Sequence, residues 1–195
     1  MRAKRREGTG SMAPGADGDL VAGAREGDED AWRGLYLLHA RRLVVWLASQ
    51  PSGDAAAAAD DIAAEAWTVA ATKIGEFRGS DNDFGGWLLS IARNIAVNHR
   101  RRALRRQTFP ADDVGADELA RDLPPHAAAE ADDTTRRLLA KLSPREAEVI
   151  ACIDVVGLDV HATSIALNMS ATAVRVARHR GLGRLRKLIG DSDLL

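Results

Sequence analysis

Asp83-Phe-Gly-Gly-Trp-Leu-Leu-Ser-Ile-Ala-Arg-Asn-Ile-Ala-Val-Asn-His-Arg-Arg-Arg102 is the stretch on which the fold turns. Phe84, Trp87, Leu88, Ile91, Ala92 and Ile95 recur at three- and four-residue steps, the spacing of one buried helix face. Asp83 is placed to cap that helix, since its carboxylate can accept free N–H groups of the first turn. The stripe then gives way to Asn98, His99, Arg100, Arg101 and Arg102, so the helix must leave the core and enter solvent as a cationic rod.

Moving toward the N-terminus, Phe77-Arg-Gly-Ser-Asp-Asn-Asp83 is a turn-rich loop, because Gly, Asn and Asp tolerate left-handed or side-chain-bonded backbone. A helix from about Asp60 carries Ile62, Ala66, Trp67, Ala70 and Ile74 on one face and Asp60, Asp61 and Glu65 on the other. Before it, Trp32, Leu35, Tyr36, His39, Leu43, Trp46 and Leu47 mark a long amphipathic helix, capped by Asp28 and stopped at Pro51. A short helix over Leu20–Ala24 precedes Gly27.

Toward the C-terminus, Ser143-Pro-Arg-Glu146 is a capping box with proline at the first helical position. Val149, Ile150, Ile153 and Val156 form the apolar face behind it, and Gly157 suits the helix stop. A weaker helix covers about Asp159 to Leu167, Asn168 makes the turn, and Ser170 caps a last helix through about Ile189 with Val174, Ala177, Leu182 and Leu185 inward. Helix, short turn and basic helix is the helix-turn-helix plan, whose second helix enters the DNA major groove.

Composition agrees with an all-α chain. Of 195 residues, 46% are hydrophobic and 28% charged, a globular balance, while aromatics at 4% and the scarcity of Val/Ile/Thr alternation disfavour sandwiches and barrels. One cysteine, Cys152, excludes an internal disulfide and a multi-cysteine metal site, and reads as a small buried hydrophobe. His39, His99, His126, His161 and His179 are scattered without metal-ligand spacing, and Gly181 and Gly183 do not follow a strand as a phosphate loop would. No cofactor, metal or catalytic residue is expected. The apolar runs are far too short for membrane insertion, and the basic N-terminus lacks a signal-peptide core, so the expected compartment is the cytoplasm.

Lys and Arg total 27 against 28 Asp and Glu, a net charge of −1 that hides strong blocks. Residues 1–17 read as a disordered basic tail. Arg93, Arg100, Arg101, Arg102, Arg105 and Arg106 close a first domain over 18–106. Asp112, Asp113, Asp117, Glu118, Asp122, Glu130, Asp132 and Asp133, with Pro110, Pro124 and Pro125, make 107–133 a flexible acidic linker. Arg175, Arg178, Arg180, Arg184, Arg186 and Lys187 charge a second domain over 134–190, and 191–195 is a tail. Two small helical domains, each ending in a cationic helix, suit two contacts with one polyanion.

In order and spacing, Asp19-Leu-Val-Ala-Gly-Ala-Arg-Glu-Gly-Asp28, Ala59-Asp-Asp-Ile-Ala-Ala-Glu-Ala-Trp67, Glu76-Phe-Arg-Gly79, Phe84–Ala96, Leu142–Ile150 and Ala173–Leu182 together resemble a bacterial RNA polymerase sigma factor of the two-domain extracytoplasmic-function (ECF) type. The resemblance implies region 2-like and region 4-like domains, and partners in core RNA polymerase, promoter DNA and an anti-sigma factor. It implies that Asp60, Asp61, Glu65 and Trp67 dock on the clamp of the polymerase largest subunit, although Ala64 stands where the family usually has Gln. It assigns Phe77, Arg78, Asn82, Arg93, Asn94, Asn98, Arg100, Arg101 and Arg102 to the minus-ten element, which is melted and has a base flipped into a pocket beside the loop. Ser170, Thr172, Arg175, Arg178 and His179 would serve the minus-thirty-five element. Arg178 stands where many relatives carry Leu, so it is either a reader or an altered core position, and Thr163-Ser164 replaces a usual Ile-Ala. Trp67 and Trp87 also fit the core by their spacing. The alternative function is a stand-alone helix-turn-helix regulator that needs no polymerase; a loop followed by an Arg/Asn-rich helix at 76–106 has no evident use there.

Overall fold

A computed structural model describes residues 19–50, 59–108 and 133–192. The expected N-terminal tail, nearly all of the expected linker and residues 193–195 lie outside the described residues. All regular structure among the described residues is helical: α1 (Leu20–Arg25), α2 (Glu29–Ser49), α3 (Ala59–Lys73), α4 (Asp81–Thr108), α5 (Asp133–Leu139), α6 (Pro144–Ile150, continued by a π turn over Ala151–Val155), α7 (Val160–Leu167) and α8 (Ala171–Ser192).

Short-range chemistry sets most of the boundaries. Asp28 accepts the N–H groups of Asp30 and Ala31 at the start of α2, and Asp159 accepts that of Ala162 in α7. Ser143 and Glu146 form the capping box of α6, with Ser143 N–H donating to Glu146 Oε2 at 3.2 Å. That carboxylate also accepts from Arg184 Nη1 at 2.8 Å, tying the start of α6 to α8. The Ser143 hydroxyl and N–H, then Arg184 and Arg180, hold the Glu146 carboxyl below the usual carboxylate range.

One capping expectation is corrected. Helix α4 begins at Asp81, two residues before the expected cap, and Asp83 is its third residue. Asp83 Oδ2 accepts from both the N–H and the hydroxyl of Ser80, so it reaches back to the residue before the helix. Asp81 instead joins two helices. Its carboxylate accepts the N–H groups of Leu20 and Val21 at 2.9 and 2.8 Å, seating α1 on α4.

Leu35, Leu43, Trp46 and Leu47 of α2, Ile62 of α3 and Phe84, Leu88 and Leu89 of α4 are fully buried. This core continues without a break into Val149, Cys152 and Val174 of the second half. The chain therefore does not resolve into two separated bodies; α4 lies along α7, the largest helix–helix contact among the described residues. Gly86 makes that approach possible. A methyl group there would stand 2.3 Å from the Ala162 carbonyl oxygen. The Cys152 thiol is buried against the Trp46 indole, and burial pushes its pKa up to about 12.

Candidate nucleic-acid interface

The positively charged end of α4 is the first surface. Asn94, Asn98, Arg100, Arg101 and Arg102 are exposed along it. Arg93, a turn earlier, is half-buried and forms a two-point bond to Glu148 of α6, Nε to Oε1 at 2.9 Å and Nη2 to Oε2 at 3.2 Å. Arg93 and Glu148, together with Trp46, Arg100 and Arg145, line a cleft of about 310 Å³ between the two halves.

The loop before α4 departs from its expected role at one residue. The Phe77 ring is only 6% exposed, stacked on Trp87 at 4.7 Å between centroids and edge-on to Phe84 at 6.0 Å. It is core and offers no face to an unstacked base in this conformation. Its carbonyl does reach the surface, where it accepts from Arg25 and Arg78. Arg78 is curled onto its own loop through Gly75 O and Phe77 O. Asn82 is exposed, and its Nδ2 donates to Asp159 Oδ2 at 3.0 Å. The Ser80 N–H and hydroxyl hold the Asp83 carboxyl below its ordinary range, and His161 Nε2 stands 3.2 Å from Asp83 Oδ1.

The acidic face of α3 is the second surface. Asp61 and Glu65 are exposed, and Glu65 Oε2 meets His99 Nε2 of α4 at 3.0 Å. Asp60 is half-buried with Oδ1 unpartnered. Trp67 is wedged between Tyr36 (5.2 Å) and Phe84 (5.9 Å), so part of its ring is a wall of the core.

The third surface is the start of α8. Ser170 Oγ accepts from Ala173 N–H at 3.2 Å, and Thr172, Arg175 and His179 are exposed while Val174 and Ala177 point inward. Asn168, at φ 52° and ψ 53°, supplies the left-handed residue that turns α7 into α8. Arg178 is neither core nor free: it makes a two-point bond to Asp154, Nε at 3.0 Å and Nη2 at 2.6 Å. Thr163 is fully buried with Oγ1 unpartnered, the cost of a hydroxyl at an apolar position of α7.

The acidic partners Glu148, Asp154 and Asp159 escape sequence reasoning. Each pairs with a residue 24 to 77 positions away, and charge spacing carries information only within one helix. Among the described residues no group of three His, Cys, Asp or Glu side chains is arranged to hold a metal ion, and no helix is long and apolar enough to cross a membrane.

Comparison with known proteins adds a family, two relatives and a solved structure. The family described as Sigma-70 region 2 matches residues 36–106. ECF RNA polymerase sigma factor SigD of Mycobacterium tuberculosis is 33% identical over 172 residues, covering 86% of this chain and 81% of the relative. ECF RNA polymerase sigma factor BldN of Streptomyces coelicolor is 27% identical over 187 residues, covering 91% and 70%. Among solved structures, CnrH in complex with the cytosolic domain of CnrY shares the fold at a TM-score of 0.59 and 22% identity, over 88% of this chain and 96% of that one.

Proposed function

This chain belongs to the ECF RNA polymerase sigma factors, and from that premise we propose how its three surfaces divide the work of starting a transcript. The exposed carboxylates Asp61 and Glu65 of α3 dock on the core enzyme, where charge complementarity sets orientation and association rate. Residues 18–106 handle the minus-ten element, with Asn94, Asn98, Arg100, Arg101 and Arg102 as the track for the melted strand. A cationic groove with hydrogen-bonding amides suits unpaired DNA. Residues 134–190 read the minus-thirty-five element through Thr172, Arg175 and His179, while Arg178 is oriented by Asp154. The chain supplies addressing and strand opening in the cytoplasm, and bond formation is left to the polymerase. CnrH was solved with CnrY, and RpoE of Bartonella quintana with the anti-sigma factor NepR. A partner of the same kind, covering these surfaces, fits this chain.

The observation that carries the reading is the pair of helices α4 and α8, each leaving the core as a cationic end, the first beside an acidic docking face and the second after a left-handed turn. The test is transcription by core polymerase on genomic fragments with and without the protein. Start sites preceded by two spaced motifs are expected, and Arg175→Ala should lower use of the upstream motif about tenfold, the worth of one arginine–guanine pair, with polymerase binding intact. Absence of protein-dependent starts overturns the function; unchanged promoter choice by Arg175→Ala removes that residue from the reader.

A further inference from the structure

Resting on the sigma-factor reading, we propose that Arg25 of α1 and Arg78 of the loop before α4 form a cradle for one backbone phosphate of the melted promoter strand. Arg25 thereby joins the DNA-handling surface, although it stands 52 positions before Phe77, the loop residue it holds.

Both guanidiniums converge on one acceptor. Arg25 Nη2 donates to the Phe77 carbonyl oxygen at 2.5 Å, and Arg78 Nη1 donates to the same oxygen at 3.0 Å. These two nitrogens therefore lie within about 5.5 Å of each other. Charges of one sign that close repel, and an anion set between them turns the repulsion into attraction. Among the described residues the protein supplies no such anion at this point. Arg93, Arg178 and Arg184 each meet a carboxylate, at Glu148, Asp154 and Glu146. Arg25 and Arg78 bond only carbonyl oxygens, and Glu26 and Glu76, close by in the chain, pair with neither.

Donor capacity is left over. A guanidinium carries five N–H groups. The Phe77 carbonyl engages Arg25 through Nη2, while Gly75 and Phe77 engage Arg78 through Nη1 alone. Nε and the other Nη of each side chain stay open to a ligand, and both residues are exposed. Two open forks at a surface suit a phosphate, whose oxygens accept from arginine at two points.

The cradle is in place before a ligand arrives. Helix α1 has six residues, too few to persist alone, so its position is set by the first module around it. Asp81 accepts the N–H groups of Leu20 and Val21, and Trp32 Nε1 donates to the Ala24 carbonyl at 3.1 Å. Gly23 lets α2 come close, since a methyl added there would stand 2.8 Å from the Ala31 Cβ. Arg25 follows directly on Ala24, so its backbone is fixed against the loop.

Location selects the occupant. The pair sits on the loop assigned to the minus-ten element, at the start of α4, and Arg100 stands roughly 28 Å further along that helix. A strand lying along α4 then has phosphates met at both ends. Phe77 turns its ring into the core, so this edge of the loop offers a strand charge rather than a stacking face. Phosphate contacts carry no sequence information, so the cradle adds affinity without choosing bases.

The experiment uses holoenzyme assembled from core polymerase and the full chain. Its probe is a promoter fragment with a premelted minus-ten bubble, taken from a start site that the protein directs. Arg25→Ala and Arg78→Ala are compared with Arg33→Ala, which removes an exposed arginine already paired with Asp30. Arg25→Ala should weaken binding about tenfold on every promoter tested and lower the salt slope by about 0.7. Arg33→Ala should change neither. Uncharged methylphosphonates, placed one at a time, then separate contact from bracing. One of them should weaken the unaltered chain about tenfold, and either arginine variant by about threefold or less. Unchanged affinity and slope in Arg25→Ala overturn the cradle. So does a scan in which every methylphosphonate weakens variant and unaltered chain alike, which would leave Arg25 as a brace for the loop. If circular dichroism shows that Arg25→Ala fails to fold, Arg78→Ala decides by the same scan. Absence of protein-directed starts overturns the sigma-factor reading and the cradle with it, whereas directed starts with unaltered binding by both variants overturn the cradle alone.

Discussion

His39 shows how much a single side chain concedes to the packing around it. The imidazole lies under Gly85 and against Phe84, at 5.4 Å between ring centroids, with Nε2 buried and unpartnered. Burial, then the nearby Arg42 charge, lowers its pKa from 6.5 to about 4, with Asp81 opposing. The unfolded chain therefore takes up a proton near pH 6.5 that the folded chain refuses until about pH 4. Stability is complete above pH 6.5, falls as the pH drops through that window, and loses nothing further to this group below it. The expected loss is roughly 3 kcal/mol, read by urea unfolding at stepped pH, and His39→Leu should flatten that limb. Asp83, Glu146 and Asp159 are depressed carboxylates, so their losses fall at lower pH, beneath the ordinary carboxylate range.

At the scale of elements, the turn between α7 and α8 orients the recognition helix, and Asn168 is the residue on which it depends. A left-handed backbone costs an ordinary residue about 1–2 kcal/mol, while Asn and Gly adopt it readily. Asn168→Gly should leave the urea midpoint nearly unchanged, whereas Asn168→Val should lower stability by about 1–2 kcal/mol and weaken duplex binding with it. This turn, the Ser143 box and the Asp28 cap were legible in the sequence because each is decided within four residues. The start of α4 was not, since Ser80 and Asp83 are both competent caps and only the register of the helix separates them. Helix α5 was not legible: it is seven residues long, begins on the last residue of the acidic stretch and is too short to show a helical period. Phe77 misled for a related reason: turn residues reveal a loop but not which of its side chains folds inward.

For the whole molecule, the all-α class, the order of the modules and their cationic ends could be read directly, because periodicity and charge blocks are one-dimensional signals. The seam between the two halves could not. It depends on pairs such as Asn82 with Asp159 and Arg93 with Glu148, 77 and 55 positions apart, and on a glycine whose purpose shows only when another helix is laid across it. An average charge of −1 likewise says nothing about the opposed surfaces it sums.

Cys152 turns that seam into a clock. The only thiol in the chain is sealed beneath an indole from the other half, with a pKa of about 12. Near pH 8 it holds roughly a thousandth of the thiolate of a free cysteine, and an aromatic disulfide reagent reaches it only when the halves part. Its labelling rate should therefore be slow, should stop rising at high reagent concentration where opening becomes limiting, and should accelerate in Gly86→Ala. A free-thiol rate in the unaltered chain would show that the indole does not seal it. While the indole stays in place, the Cys152 thiol is shielded from oxidants, and a redox signal acting through it has to wait for the two halves to part.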